Sequence, residues 1–142
     1  NNFIYFLQPE LEIAWAQKAV EHMEIHFNLI ISVPPEQLRL TPRDDEIYNA
    51  FSEEFPDFKL DVLDMESLKS EENKMKWRSF CESFRDSVED STFGTLVRIN
   101  CEDDYNEENT VLVLRVQFLA IEIARNRHGL NEKIRISRRT RQ

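Results

Sequence analysis

RVQFLAIEIARNRHGLN, residues 115–131, decides how this chain is read, because an apolar helical run closes on four consecutive polar or cationic residues and then a glycine. Gly129 can take the left-handed conformation that stops a helix. Arg125, Asn126, Arg127 and His128 bring donors and positive charge to a last turn whose unpaired carbonyls and dipole favour both. A helix C-cap accounts for that spacing. It does not account for Arg115, ten residues before Arg125 and inside the apolar run, nor for Arg98 further upstream. Together these arginines could form a cationic surface for a carboxylate, a phosphate or an acidic partner protein.

Outward from this helix, Ala16, Val20, Met23, Phe27, Ile30 and Ile31 recur at steps of three and four, Leu11 and Trp15 widen the stripe, and Pro34-Pro35 end it. The spacing predicts a long amphipathic helix over residues 10–33. Thr41-Pro42 followed by Asp44 reads as a helix start, and Ile47, Phe51 and Phe55 recur every fourth residue until Pro56, so a second helix is expected over 42–55. Phe58, Leu60 and Val62 alternate with Lys59 and Asp61 as in a half-buried strand, and Ser70 can cap a helix whose Trp77, Cys81, Phe84 and Val88 share a core face. Thr95 to Ile99 is β-rich, an acidic loop (Glu102, Asp103, Asp104, Glu107, Glu108) precedes the last long helix, and Ile134 with Ile136 allows one more strand. The fold class expected is α+β and mostly helical, with long N-terminal and C-terminal helices packed on a small sheet or hairpin. Both tryptophans lie on apolar stripes and are expected to be buried.

Few residues invite chemistry. His22 and His26 are one helical turn apart but lack a third ligand and the Glu placement of a metalloprotease helix, so they read as two ordinary surface histidines and no metal is expected. Cys81 falls on an apolar stripe, Cys101 has no ligand spacing to it, and the paired carboxylates Asp44-Asp45, Glu53-Glu54 and Glu71-Glu72 read as a solvated face. Only two glycines exist, Gly94 and Gly129, so neither a dinucleotide-binding turn nor a phosphate loop can be assembled and no cofactor is expected. Gly94, in EDSTFGTLVR (89–98), reads as a turn or bulge glycine that launches a strand. If that turn lies beside the end of the last helix, Arg98, Arg125, Asn126, Arg127 and His128 converge on one patch with Phe93, Gly94 and a rim at Asp90. These are the candidate partner-binding residues.

EIARNRHGLN (122–131), together with VEDSTFGTLVR (88–98), KWRSFCESF (76–84) and LRLTPRDDEIYNAF (38–51), resembles the eukaryotic polysaccharide biosynthesis domain-containing protein family, in the family's order and from about Glu10 to about Ile134. The resemblance implies a dedicated cytoplasmic chaperone that holds the nascent or nucleotide-free GTP-binding domain of translation elongation factor 1-alpha and releases it once GTP is bound. The family's label suggests instead a polysaccharide-related enzyme such as a glycan methyltransferase. That alternative fits poorly with so few glycines, so a non-enzyme is expected.

Composition sets the remaining bounds. At 142 residues and 41% hydrophobic content, one globular domain with one core is expected over residues 10–131, preceded by an N-terminal extension (1–9) and followed by a basic tail (132–142). The tail holds five of the 18 Lys and Arg but one of the 27 Asp and Glu, which leaves 13 cations against 26 carboxylates in the rest. Such a body repels DNA and anionic membrane. The ribosome–nascent chain complex is a conceivable second partner through SRRTRQ, although a short cationic end is usually just solvated. No secretory or membrane-spanning run is read from the sequence, and with two cysteines at most one disulfide is open, which together point to a reducing cytoplasm.

Overall fold

The structure is a computed structural model that describes residues 13–140. It is mostly helical, with a two-stranded antiparallel sheet. Helix α1 (Ile13–Ser32) is followed by a 3-10 turn at Pro35–Gln37, then α2 (Asp44–Glu54), the short α3 (Met65–Lys69) and α4 (Glu71–Ser83). Strands β1 (Gly94–Arg98) and β2 (Thr110–Leu114) flank a loop with a 3-10 turn at Glu107–Asn109, and α5 (Arg115–Arg127) and α6 (Glu132–Thr140) complete the chain.

Local chemistry explains most of these limits. Ser70 caps α4 by accepting from the Asn73 amide, as its position in the sequence suggested, and Asp64 does the same for α3 through Glu66. Asp44 stands in the first turn of α2, as the sequence suggested, and turns its carboxylate back onto the amides of Leu40 and Thr41, each at 2.8 Å, so it also fixes the chain that enters the helix. The strands pair in register from Gly94 with Leu114 to Arg98 with Thr110. Their long connection is held by Asn109, whose side chain accepts from the Asn100 amide and donates to the carbonyls of Asn100, Asp103 and Asp104. α5 ends in a Schellman motif: Gly129 has φ +74°, its amide donates to the Asn126 carbonyl at 3.2 Å, and the Leu130 amide donates to Arg125 at 2.9 Å.

The core is built around α5, which is buried on nearly every face from Val116 to Asn126. Against one side α2 and α4 lay an aromatic cluster in which Trp77 stacks on Phe55 at 4.2 Å and meets Phe58 and Phe80 edge-on. The Trp77 indole donates to the Ser67 carbonyl at 3.1 Å, so its one polar atom is satisfied within the cluster. Against the other side lie the hairpin and α1, whose Ala16, Ala19, Val20 and Met23 pack on Leu96.

Three expectations about elements are corrected. Phe58 to Val62 is not a strand; only an isolated bridge, Val62 with Asn100, forms there, because the hairpin offers that segment a single pairing position. The last strand of the sheet is β2, formed by TVLVL at 110–114, a run with β-branched Thr110, Val111 and Val113 where no element was expected from the sequence. Residues 132–140, read as tail and with Ile134 and Ile136 in a strand, fold as α6 on α1, burying Ile134 beside Ile30 and Leu38. The extension at 1–9 lies outside the described residues. Gly94 opens β1 without a positive φ; the left-handed residue of that turn is Asp90, at φ 56°.

Trp77 is 3% exposed and Trp15 is 45% exposed, so the expectation of two buried tryptophans holds for one of them. Trp15 rests on Phe93 with its ring centroid at 5.0 Å and keeps much of its surface in water. Replacing Trp77 with Ala should therefore cost about 3–5 kcal/mol of unfolding free energy, and Trp15→Ala about 1 kcal/mol. Paired urea titrations read both, and equal losses would contradict this placement.

Candidate partner-binding surface and the charge cluster beneath it

Two charged assemblies occupy the C-terminal half of α5, one inside the protein and one on its surface. Inside, Glu122, Arg98 and Arg125 are each 0% exposed. Glu122 Oε2 accepts from Arg125 Nη1 at 2.8 Å, and Oε1 lies 3.5 Å from Arg98 Nη2. Two guanidinium groups share one carboxylate, and the excess positive charge is met by oxygen dipoles. Arg98 donates to the Cys101 carbonyl and to Asn131 Oδ1, both at 2.6 Å, while Arg125 donates to the carbonyls of Leu60 and Ile99. Asn131 returns its amide to Glu122 at 3.0 Å and to Asn126 Oδ1 at 2.7 Å. Tyr105 lies under the Arg98 guanidinium and donates its hydroxyl to the Leu96 carbonyl. Burial alone would raise the Glu122 pKa, but Arg98 and Arg125 hold it well below the ordinary carboxylate range.

The histidines belong to this interior rather than to the surface. His26 is buried and brings Nε2 within 3.4 Å of Glu122 Oε1. His22 lies parallel to it at 6.4 Å, and both rings meet Phe118 edge-on. Burial, with help from the Arg115 charge and from His26, lowers the His22 pKa to about 4, so its ring is neutral near pH 7. No group of three or more His, Cys, Asp or Glu among the described residues is arranged to hold a metal ion. Burial pushes the Cys81 thiol up to about 11, which leaves it protonated and unreactive at neutral pH.

On the surface, Arg127 pairs with Asp45 of α2 and lies over the Tyr48 ring, and His128 Nε2 is 3.0 Å from the Tyr48 hydroxyl. The Arg127 side chain holds the Asp45 carboxyl below its usual pKa. Beside them a depression of about 570 Å³ is lined by Asn126, Arg127 and Gly129 from the end of α5 and by Leu38 and Arg39 from the loop before α2, with the carboxylates of Glu36, Asp44 and Glu132 also on its walls.

The eight candidate residues therefore do not form one patch. Arg98, Arg125 and Asn126 converge, but in the core, because α5 is packed on both sides and Arg98 enters from β1 to meet Glu122 there. Arg127 and His128 sit at the exposed C-terminal end of α5. Asp90, Phe93 and Gly94 lie at its N-terminal end, roughly 20 Å away for a helix of this length, where the Phe93 carbonyl accepts from the Arg115 amide and Lys18 sits over the Phe93 ring. Arg115, grouped with the other arginines in the sequence, donates at this end to the Thr95 hydroxyl at 2.9 Å. Glu122, Asn131, His26, Tyr48 and Asp45 were not among the candidates. A signal existed for two of them: Glu122 stands between Ile121 and Ile123 in an apolar helix, and His26 continues the stripe of Ala19, Met23 and Ile30.

The family model described as PBDC1 protein matches residues 11–136. The chain is 50% identical over 133 residues to Protein PBDC1 of Homo sapiens, covering 94% of this chain and 57% of that protein. It is 44% identical over 129 residues to the Protein PBDC1 homolog of Saccharomyces cerevisiae, covering 88% of each. A solution NMR structure of a Saccharomyces cerevisiae protein superimposes with a TM-score of 0.77 at 45% identity, over 84% of this chain and 85% of that one.

The cluster and the surface pair should respond differently to mutation. Arg98→Met strands the buried partners of a charge and should cost about 3–5 kcal/mol, whereas Arg127→Gln breaks an exposed pair and should cost less than about 1 kcal/mol. A melting curve for each variant tests the contrast. The His22 site also predicts a pH dependence. The unfolded chain takes up this proton near pH 6.5 and the folded chain only near 4, so between those values the unfolded state binds more protons and stability falls as pH falls. The contribution is complete above about pH 6.5, and Glu122 adds a loss at lower pH still. Urea midpoints measured across this window should decline for the parent protein and decline less for His22→Gln; identical slopes would refute the assignment to His22.

Proposed function

The chain belongs to the PBDC1 family, and from that premise we propose that it is a non-enzymatic cytoplasmic chaperone for the GTP-binding domain of translation elongation factor 1-alpha. The observation that carries the reading to a site is the exposed end of α5. Arg127, which lies over Tyr48 next to His128, lines a depression with Arg39 on its wall, and the helix that presents Arg127 is fixed from below by the Glu122 cluster. A rigid platform bearing cationic and aromatic groups suits a flexible, polar segment of a client, because such anchors lose little of their own freedom on binding.

Release follows from differential affinity. A client that binds GTP orders its own polar loops, and a chaperone that prefers the unordered state is displaced by as much free energy as separates its affinities for the two. Arg98, Arg125 and Asn126 act in this scheme as the brace for the platform, and contact with the client falls to Arg127 and His128. The chain spans 57% of the human relative's length, so parts of the activity can reside outside it.

Titration against the purified GTP-binding domain tests the proposal. Binding should be tight to the nucleotide-free domain and at least about tenfold weaker, or 1.4 kcal/mol, with GTP bound. Arg127→Glu combined with His128→Ala should cost about 2 kcal/mol or more in affinity while leaving the melting temperature close to that of the parent. Equal affinity for the two nucleotide states removes the release mechanism, and no binding to either removes the client.

A further inference from the structure

At the opposite end of α5, α4 and the start of α5 bound a second concavity that the platform at Arg127 does not use. Its volume is about 510 Å³, and its floor is apolar: Leu68, Trp77 and Cys81, with Leu114 forming a lip that is 39% exposed. The rim is cationic. Lys74, Arg78 and Arg85 stand around it against one carboxylate, Glu82. Lys74 is 3.9 Å from Glu71 and Arg85 is 3.6 Å from Glu82, both well exposed pairs of little strength, and Arg78 has no ionic or hydrogen-bonding partner among the described residues. Past Arg78 and Glu82 the concavity continues along α4 into a shallower depression of about 640 Å³ that includes Met75, which is 71% exposed.

We propose that this groove is a docking site for an acidic segment of a partner protein that inserts one or two apolar side chains between its carboxylates. Charge decides among the occupants. The protein carries a net charge of −9, yet the groove lining is positive, so its field attracts an acidic segment that the rest of the surface repels. The site needs an apolar group, since Leu114 is open at the lip, Leu68 and Trp77 close the base with no hydrogen bond toward the opening, and 510 Å³ accommodates bulky side chains. RNA would find no open ring face to stack on, because Trp77 is buried, and would meet Glu82 on the wall. A second copy related by a two-fold axis through the groove would set one positive lining against another. The proposal does not depend on the elongation-factor reading, since a partner could dock here whatever binds at Arg127.

The test uses the full chain carrying Trp15→Phe, which leaves Trp77 as its one tryptophan and makes indole emission a local reporter of the groove. Three synthetic helical peptides are titrated: one with Glu and Asp around two leucines one turn apart, one with those acids changed to Gln and Asn, and one with the leucines changed to Ala. The acidic leucine peptide should shift the Trp77 emission saturably and bind more tightly than both controls. Arg78→Glu with Arg85→Glu should weaken it by roughly tenfold, with a shallower salt dependence, while Arg127→Gln leaves it unchanged. Both rim positions are exposed, and an unaltered melting temperature confirms that the variants fold. Equal binding of acidic and neutral peptides, indifference to the Arg78/Arg85 reversal, or no saturable shift overturns the proposal. So does light scattering that shows a dimer dissolved by that reversal. Failure here leaves the nucleotide-dependent titration at the Arg127 platform unaffected.

Discussion

Glu122 is the constraint on which the rest of the structure depends. A carboxylate sealed in the interior is tolerable only when its charge and lone pairs are met, and this one is met from four directions. Arg125 comes from its own helix, Arg98 from β1, Asn131 from the turn before α6, and His26 approaches from α1. The two arginines then carry the network outward to backbone carbonyls at Leu60, Ile99 and Cys101. Elements far apart in sequence are thereby positioned by directional bonds as well as by apolar contact. A shift of any one of them would leave a buried charge without its partner, which is a larger penalty than a small loss of packing.

That arrangement explains how α5 can be buried on almost every face and still present a surface. The aromatic cluster of α2 and α4 and the α1–hairpin layer cover its length, so the helix reaches water only at its ends. At the C-terminal end Gly129 turns the chain sharply, and the first residues beyond the buried stretch, Arg127 and His128, are pinned against Tyr48 and Asp45 of α2. At the N-terminal end Leu114 and Gln117 border the basic groove beside α4. One buried helix thus fixes the distance and orientation between two chemically different surfaces. The groove beside α4 is positive in a chain that is strongly negative overall, whereas the depression at the C-terminal end mixes Arg39 and Arg127 with Glu36, Asp44 and Glu132.

The sequence by itself determined the helical elements and their caps. Their signals are local: the three-and-four spacing of α1, the Ser70 cap, the proline after α2, and Gly129, whose left-handed turn follows from the lack of a Cβ. It also carried the family resemblance in segments such as EIARNRHGLN, and it excluded glycine-dependent phosphate loops. Strands were less legible than helices. Phe58 to Val62 alternates as a strand should but finds one bridging partner, and Val111 to Leu114 pairs along its whole length although its pattern merges with the helix that follows. Pairing is settled by what lies alongside, which local alternation does not record.

Tertiary structure alone decided which charges are inside. Arg98, Arg125, Arg127 and Arg115 look alike in a linear reading, all within or near apolar runs. Burial separates them: two neutralise Glu122, one stacks on Tyr48 at the surface, and one bonds Thr95 half-way between. His26 likewise follows the apolar stripe because Glu122 waits opposite it, and Trp15 lies on that stripe yet stays exposed because the hairpin covers only part of the helix. The physical reason is that helix periodicity specifies the angle at which a side chain leaves its axis, whereas burial and pairing depend on neighbours supplied by distant segments. Whether an arginine is a contact or a brace is therefore a property of the assembled core.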